Sequence, residues 1–391
     1  ALAFDLSTPR LQPAPQPPGA EMASMGYFNV DNGFLEAVVR GFRSGILTAA
    51  DYANLQQCDT VDDMKLQLQG TDYGNFLQGE PSPLSTNTLA LKCTQKLVEE
   101  FEHLRVQAVE PMATFMEYVT YGYMIDNLML IITGALHDRD TNELMAKCHP
   151  LGMFEGLSAA SIPNTAKDLY EMVLVETPIG PYFTDVLSLW RQPQVGERQP
   201  GVEDLDELNI EIIRNSLYKA YLEDFHDFVK TKCGGETAEI MGGILELEAD
   251  RRAINITVNS FETELSKDDK FKLYPSIGQL HPEGTARLAL CTDVDQVRAA
   301  LDPYQDYRNV LVEAGAGEEK SVENSFFELE VQLNKDAFEQ QFHYGLFWAY
   351  VKLREQEVRL FFLFVFVLRF PCFFSRFFPL FSRRKSNITI T

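Results

Sequence analysis

Basic residues are scarce in this chain of 391 residues: 34 Lys and Arg stand against 57 Asp and Glu, which gives a net charge of −23. Binding to nucleic acid without sequence preference needs clustered Lys and Arg that neutralise phosphates, so this composition argues against a nucleic-acid-binding protein. The basic residues are also unevenly placed. After Glu357 the sequence has no acidic residue and six basic ones, so the end of the chain differs in character from its acidic body.

The cysteines lack the spacing of a metal or redox motif. No CxxC pair occurs, and we find no secretory signal before the first cysteine. We therefore expect free thiols in a reducing compartment instead of a disulfide framework. The six cysteines are Cys58, Cys93, Cys148, Cys233, Cys291 and Cys372.

Motifs that would hold a nucleotide or chelate a metal are incomplete. The stretch with Gly315 and Gly317 lacks the third glycine of a dinucleotide loop, because Lys320 occupies that position. No two histidines lie three or four residues apart, so no helical face presents a chelating pair. The sequence therefore predicts no catalytic residue, no cofactor and no metal site.

Two acidic pairs come closer to a magnesium motif. Asp62-Asp63 and Asp268-Asp269 resemble the start of the DDxxD sequence that prenyl-diphosphate enzymes carry on a helix. Neither pair is followed by the third carboxylate that would complete a set of ligands for a divalent cation. We interpret both pairs as acidic residues at helix starts, where they favour the positive end of the helix dipole.

Apolar residues recur mostly at helical spacing. They follow intervals of three and four over residues 209–229, and similar patterns occupy residues 97–109 and 326–358. Thr48 and Asp51 have the spacing of a capping box at the start of a short helix. Strand-like alternation is scarce, and residues 254–258 fit an extended strand or a helix equally well. These patterns predict a mainly α-helical fold.

The segment Met112–Leu136 is apolar and long enough to cross a bilayer. Asp126 lies near its centre, and a central Asp costs about 2.5–3.5 kcal/mol on insertion scales. That cost cancels most of the gain from the apolar side chains, and Glu117 adds to it. We therefore predict a helix inside a protein core, either continuous or broken at Gly122.

Arg251 lies on the apolar stripe of a predicted helix, in a series with spacings of three and four that runs from Ile244 to Val258. A buried Arg needs a partner, and Glu248, three residues earlier, is the best placed one. Two interpretations stay open. In the first, Arg251 belongs to an internal ion-pair network or to the charged lining of a cavity. In the second, the aliphatic part of its side chain packs against the core while its guanidinium group reaches water.

Eight segments, taken together and in order, resemble one family. It is the family of subunit d of the vacuolar-type proton-pumping ATPase and of its counterpart in the archaeal rotary ATPase. The segments span most of the region from residue 27 to residue 357, which makes the resemblance far more specific than a short motif. They are YFNVDNGFLEAVVRG from Tyr27, LTAADYANLQQC from Leu47, LQGTDYGNFL from Leu68, YVTYGYMIDNLMLIITGALH from Tyr118, KCHPLGMFE from Lys147, LNIEIIRNSLYKAYLEDF from Leu208, EADRRAINITVNSFETELSKDD from Glu248 and FEQQFHYGLFWAYVKLREQE from Phe338.

The resemblance implies a non-catalytic role. Members of this family are all-α proteins in which three related helical subdomains form a C or a funnel around a central cavity. They lie on the cytosolic face of vacuolar and endosomal membranes and are held there by the pump. Their implied partners are the proteolipid c-ring, the central stalk subunits D and F, and subunit a, and they couple ATP hydrolysis to proton transport. The alternatives are a helical metal-dependent enzyme and a helical scaffold for other partners.

Three parts of the chain depart from the family pattern. Residues 1–26 are rich in proline and are predicted to be a flexible extension, and residues 188–203 are predicted to be an insertion. Residues 358–391 replace the family's last amphipathic helix with a Phe-rich and Arg-rich tail. We favour a disordered tail, or one read from a wrong frame or an unspliced intron, over a membrane-surface anchor. The family-like helical domain is thus predicted to be residues 27–357.

The resemblance assigns no chemical role to any position. Torque transmission needs a rigid adaptor with large interfaces, so shape would carry the function. The matched positions that we predict to form a partner interface, or to support a socket for the stalk, are Phe28, Asn29, Asp31, Asn32, Tyr73, Asn75, Tyr121, Asp126, Asn127, Glu248, Asp250, Arg251, Arg252, Phe342 and His343.

Overall fold

In a computed structural model, the protein is an assembly of helices joined by turns and loops. No strand occurs in the residues that the structure describes, so the all-α prediction is confirmed. The glycine-rich stretch at Gly315 and the predicted insertion at 188–203 lie outside those residues. The structure describes residues 18–162, 166–184, 207–261, 263, 265–312 and 322–369.

The first part of the chain begins its short helices with capping boxes. Thr48 accepts a hydrogen bond from the amide of Asp51, and Asp51 accepts one from the amide of Thr48, as the sequence predicts. Thr60 and Asp63 repeat this arrangement one helix later, which places Asp63 at a helix start. The helices are α1 (Pro18–Ser44), α2 (Ala49–Leu55), α3 (Val61–Leu68), α4 (Gly74–Leu77), α5 (Thr86–Gln107), α6 (Met112–Leu136) and α7 (Thr141–Met145).

The second part of the chain contains the longer helices that complete the core. The predicted helix at 209–229 is confirmed, and the ambiguous residues 254–258 are helical. Asp268 and Asp269 lie in the first turn of their helix, as predicted. The helices are α8 (Ala166–Leu169), α9 (Glu207–Phe228), α10 (Gly235–Asn259), α11 (Lys267–Leu273), α12 (Glu283–Leu288), α13 (Val294–Leu301), α14 (Gln305–Val312), α15 (Val322–Glu339) and α16 (Gly345–Arg369).

The helical pattern at 326–358 is interrupted, which the periodicity did not predict. α15 ends at Glu339 and α16 begins at Gly345. Between them, Phe342 adopts a left-handed backbone with φ of 65°, which does not continue a right-handed helix. The amide of Phe342 donates instead to Glu36 of α1 at 3.3 Å. A contact distant in sequence therefore stabilises the break.

The long apolar helix α6 is a core helix, as predicted. By length and composition it is the one helix among the described residues that could cross a membrane, but 56% of its apolar window is buried inside the protein. It runs through Gly122 without a break. It packs against α9, where the rings of Phe115 and Phe225 lie 5.4 Å apart. Asp126 is exposed enough on this helix to remain solvated.

The buried apolar side chains of the described residues form two clusters. The larger one extends from Leu35 in α1 to Leu360 in α16, and the smaller one gathers α10 to α15 around Leu288, Val297 and Phe326. Burying each such side chain stabilises the fold by about 1.5–3 kcal/mol. Because the larger cluster contains residues from both ends of the described chain, the first and last helices are parts of one core.

Both ends of the helical region lie beyond the predicted boundaries of 27 and 357. α1 already begins at Pro18, where a proline suits the first helical position and is followed by the helix formers Ala, Glu and Met. α16 continues without interruption to Arg369, and Val358 and Leu360 are buried against the core. The helix therefore crosses into the segment that we predicted as a tail.

Candidate functional site

Four of the predicted positions meet where α1 packs against the turn before α16. The Phe28 ring lies 5.2 Å from the Tyr344 ring and 6.3 Å from the Phe342 ring. The Asn32 amide donates to the Tyr344 hydroxyl at 3.4 Å, and His343 is fully buried beside them. We call this contact between residues 28–47 and residues 337–357 the seam.

Arg40 fastens the seam with polar contacts. Its guanidinium donates to the carbonyl oxygens of Phe338 at 2.8 Å and Gln340 at 2.5 Å. Glu36, one turn earlier, accepts from the same guanidinium at 2.8 and 2.9 Å and fixes its orientation. Hydrogen bonds that involve a charged group are the stronger ones, so Arg40 ties α1 to the end of α15.

A buried charged cluster lies deeper in the seam. Arg354 and Glu357 are 1% and 0% exposed, and Arg354 Nη1 lies 2.5 Å from Glu357 Oε2. The Tyr73 hydroxyl donates to Glu357, and the Tyr350 hydroxyl donates to Glu100. Arg354 Nε donates to the Tyr350 hydroxyl at 2.9 Å. We call these five residues the Arg354 cluster.

The Arg354 cluster also holds the turn after α1. The amide of Leu47 donates to Glu357 Oε1 at 2.6 Å, and Arg354 Nη1 donates to the carbonyl of Gly45 at 3.1 Å. Burial and the nearby Glu357 raise the pKa of Tyr73 well above its ordinary value, so its hydroxyl remains a donor. Tyr73 is among the positions predicted from the sequence, whereas Arg354 and Glu357 are not. Their signal was an Arg and a Glu three residues apart on a strongly apolar helix.

Four other predicted positions line a partly open cavity of about 160 Å³ between five helices, which we call the central cavity. Helices α6, α9, α10, α15 and α16 surround this central cavity, and each contributes to its wall. Its lining mixes apolar and aromatic side chains with charges of both signs. The charged lining residues are Asp126, Glu248, Arg251, Arg252, Glu330, Lys352 and Glu355.

Glu248 holds both neighbouring arginines in the central cavity. Its carboxylate accepts from Arg251 at 2.7 and 2.8 Å and lies 2.9 Å from Arg252 Nε. Burial opposes ionisation of Glu248, but the two arginines outweigh it and lower the pKa of this carboxyl. The predicted partner of Arg251 is therefore confirmed. Although Arg251 is one-third exposed, it belongs to an ion-pair network that lines a cavity.

The tyrosines of α9 extend this network. The Tyr218 hydroxyl donates to Asp126 Oδ1 at 2.5 Å, and the Arg252 guanidinium stacks 3.3 Å from the centroid of the Tyr218 ring. Lys352 pairs with Glu355 at 2.9 Å on the opposite wall. Hydrogen bonds, stacking and ion pairs thus connect helices that lie far apart in the sequence.

The central cavity is small compared with a typical ligand site. Sites for small ligands measure about 300–1,000 Å³, whereas this cavity measures about 160 Å³. The charged residues around it pair with one another and with Tyr218, and they join α6, α9 and α10. That they support a socket for the stalk stays a prediction.

The remaining predicted positions are dispersed. Asn29, Asp31 and Asn75 are exposed, and Tyr121 is half-buried among other tyrosines. Asn127 is buried and exchanges two hydrogen bonds with the backbone of residue 149, at 2.7 and 2.8 Å. These residues join neither the seam nor the central cavity.

Asp250 lies on the opposite side of α10 from the central cavity and anchors the smaller core. Its carboxylate accepts from the amide of Gln279 at 2.8 Å, the amide of Leu280 at 3.2 Å and the hydroxyl of Tyr307 at 2.7 Å. Gly278 approaches so closely that a Cβ there would lie 2.3 Å from Asp250, and its φ of 104° also favours glycine. Asp250 thus positions the loop before α12.

Asp250 is expected to make stability fall as the pH rises. Burial raises its pKa to about 6, against the lowering effect of the hydrogen bonds from Tyr307 and the loop amides. An unfolded Asp titrates near 3.9, so between these values the unfolded chain has lost a proton that the folded chain still holds. This contribution is complete below the unfolded pKa and disappears as the pH rises through about 6.

The test is the difference in free energy of unfolding between the wild type and Asp250→Asn, measured in urea at several pH values. A shift of about two units corresponds to roughly 3 kcal/mol, so the difference should decrease by up to that amount between about pH 4 and pH 7. A difference that stays constant over this range would contradict the interpretation.

No group of three or more His, Cys, Asp or Glu side chains that could hold a metal ion occurs among the described residues. The two acidic pairs that resemble the start of a magnesium motif form hydrogen bonds with serine side chains. Asp62 accepts from the Ser82 hydroxyl at 2.8 Å, and Asp269 accepts from the Ser266 hydroxyl at 2.6 Å. The five described cysteines are free thiols.

Comparison with known proteins agrees with the resemblance found in the sequence. The sequence model of the ATP synthase (C/AC39) subunit family matches residues 35–361. The V-type proton ATPase subunit d of Dictyostelium discoideum is 56% identical over 342 residues, which is 87% of this chain and 92% of that protein. The probable V-type proton ATPase subunit d of Oryza sativa subsp. japonica is 52% identical, with 87% of this chain and 92% of that protein covered.

A fungal relative shows the same extent of similarity. The V-type proton ATPase subunit d of Saccharomyces cerevisiae is 47% identical over 335 residues, with 85% of this chain and 92% of that protein covered. The matched region includes α1 from Leu35 onward, the central cavity and the Arg354 cluster. On the strength of these matches, the chain belongs to the ATP synthase (C/AC39) subunit family.

Proposed function

We propose that this chain is a non-catalytic V0 subunit of a V-type proton ATPase, which couples the central stalk to the proteolipid ring. The observation that carries the proposal is the extent of its similarity to proteins named as V-type proton ATPase subunit d. The chain aligns with 92% of the length of such relatives from an amoeba, a plant and a yeast. The alternatives of a metal-dependent enzyme and an unrelated scaffold gain no support from these relatives.

The seam supports a mechanical role. A coupling subunit must resist deformation between the surface that receives torque and the surface that delivers it. Asn32 with Tyr344, and Arg40 with Phe338, join residues that are 312 and 298 positions apart. Because protein interiors are close-packed and transmit strain, a load on α1 reaches α16 directly through these contacts. The central cavity network ties the intervening helices to the same body.

The partners follow from this role. The proteolipid c-ring, the central stalk subunits D and F, and subunit a are the proposed neighbours, and the pump holds the chain on the cytosolic face of vacuolar or endosomal membranes. Among the predicted positions, Asn29, Asp31 and Asn75 are exposed and are the proposed contact residues. The acidic composition of the chain favours basic surfaces on these partners.

The site that receives the stalk is proposed to be the opening between the three related subdomains that the family resemblance implies. The seam and the cavity are then supports that hold the receiving surface in shape. Substitutions in the seam or in the central cavity should therefore change the stability of the chain more than its choice of partners.

Co-purification tests the proposal. The chain, tagged at its own locus, should be recovered with the proteolipid and stalk subunits from membranes, and it should leave the stalk subunits when the pump is disassembled. An untagged strain and a tagged cytosolic protein serve as controls. Recovery of the chain solely as a free monomer from cells whose pumps are intact would refute the proposal.

A further inference from the structure

A second cavity, of about 570 Å³, lies on the outer side of the central network. We call it the outer pocket. One face of α9, from Glu211 to Asn215, forms one wall, and one face of α10, from Arg251 to Asn259, forms another. Leu273 at the end of α11 closes the third side. None of the functions described above uses this space.

The described lining of the outer pocket is slightly basic although the chain is acidic. Among the described residues, three arginines and one glutamate line it, in a protein with a net charge of −23. Glu211 pairs with Arg214, and Glu248 behind the wall pairs with Arg251 and Arg252, so one positive charge stays in excess. Arg251 and Arg252 form the boundary with the central cavity, and Arg214 approaches from α9. Within a concave site, charges of one sign concentrate ligands of the opposite sign. The pocket therefore favours an anion.

Two amide side chains in the outer pocket are available to a ligand. Asn215 and Asn255 are half-buried and line the pocket. Arg214 is paired with Glu211 at 2.8 Å through Nη1, but its Nε is buried and without a hydrogen-bond partner. A ligand that accepts from these two amides replaces their hydrogen bonds to water, which contributes about 0.5–1.5 kcal/mol for each bond.

The pocket also has an apolar floor and a suitable size. Ile256 is 7% exposed and Leu273 is 5% exposed at its base. Cavities of about 300–1,000 Å³ with an apolar lining and a few convergent polar groups are typical of sites for small ligands. A ring or short apolar group fits such a floor, while its polar end meets the arginines.

We propose that the outer pocket binds a small phosphorylated solute. Guanidinium groups form bidentate hydrogen bonds with phosphate and with carboxylate alike. A phosphate carries more charge and a third acceptor oxygen, so it can contact an arginine and an amide at the same time. The amides of Asn215 and Asn255 donate to the remaining oxygens, and the apolar floor receives the organic part. Binding there would join α9 to α10 beside the central network, and it adds a ligand site that the coupling role does not require.

Titration calorimetry of the full chain with pyrophosphate and with ATP tests this inference. Arg214→Gln removes a pocket arginine, and Arg298→Gln is a matched control because both residues are 35% exposed and pair with an acid three residues earlier at 2.8 and 2.9 Å. We expect Arg214→Gln to weaken binding at least tenfold and Arg298→Gln to leave it unchanged. Equal melting temperatures of the two variants would show that folding is intact.

Three results would overturn the inference. One is the absence of binding by both probes and by vesicles, and another is an equal loss of binding in both variants. Vesicles of phosphatidylcholine with a phosphorylated inositol lipid distinguish the source of the phosphate. If the chain bound the vesicles but neither soluble probe, and if Arg214→Gln abolished that binding, the phosphate would be that of a lipid headgroup. Tighter binding of a Glu-rich peptide than of pyrophosphate would also refute a phosphate site. Because the titrations use the isolated chain, their failure would leave the coupling role unaffected.

Discussion

Replacing Arg354 by Met is expected to lower the free energy of unfolding by about 3–5 kcal/mol, because removal of one partner from a buried ion pair leaves the other charge uncompensated. Glu357 is 0% exposed and would lose its ion-pair partner, and Glu100 would lose a nearby positive charge. Met fills a similar volume without a charge, so the effect reports on electrostatics more than on packing. Urea unfolding followed by circular dichroism gives the value.

Arg298→Met is the control for this prediction. Arg298 forms an ion pair with Asp295 on the surface, where such pairs contribute about 0–1 kcal/mol. The double variant Arg354→Met with Glu357→Leu removes both buried charges and should be more stable than Arg354→Met alone. A loss below about 1 kcal/mol in Arg354→Met would show that the cluster does not stabilise the seam.

Replacing Glu248 by Leu is expected to cost about 2–3 kcal/mol near neutral pH, since two arginines of the central network would lose their shared carboxylate. The expected loss is smaller than at Arg354 because the Glu248 side chain is 19% exposed. The arginines lower the pKa of Glu248 in the folded state despite its burial. Its contribution is therefore complete above the unfolded pKa and is lost as the pH falls through the folded value.

Glu102→Leu is the matched control for Glu248→Leu. Glu102 also has an Arg three residues later, but this pair is exposed and 3.4 Å apart. We expect a change below about 0.5 kcal/mol for Glu102→Leu. If the two variants lost equal stability at neutral pH, or if the deficit of Glu248→Leu grew on acidification, the assigned network would be wrong.

Several features could be predicted from the sequence because they depend on neighbours along one helix. The Glu248–Arg251 pair spans three residues, and the Thr48–Asp51 capping box is equally local. The identification of α6 as a core helix rested on the cost of Asp126 in a membrane, and the burial of that helix agrees. Local spacing and local energetics were sufficient for these predictions.

The features that the sequence did not reveal depend on contacts between distant segments. The break between α15 and α16 is stabilised by Glu36, more than 300 residues away. The Arg354 cluster gathers residues from the first third and from the end of the described chain. Helical periodicity cannot locate such contacts, because it records which face is apolar and not what that face meets. The early start of α1 was obscured by the prolines that precede it.

The most direct test of the coupling role is an add-back experiment. Membranes are prepared from cells of the same organism that lack this chain, and ATP hydrolysis and proton uptake are measured with and without the purified protein. The account predicts that the protein restores ATP-driven proton uptake while hydrolysing no ATP by itself. Failure to restore proton uptake although the chain binds to the membranes, or ATP hydrolysis by the isolated chain, would contradict it.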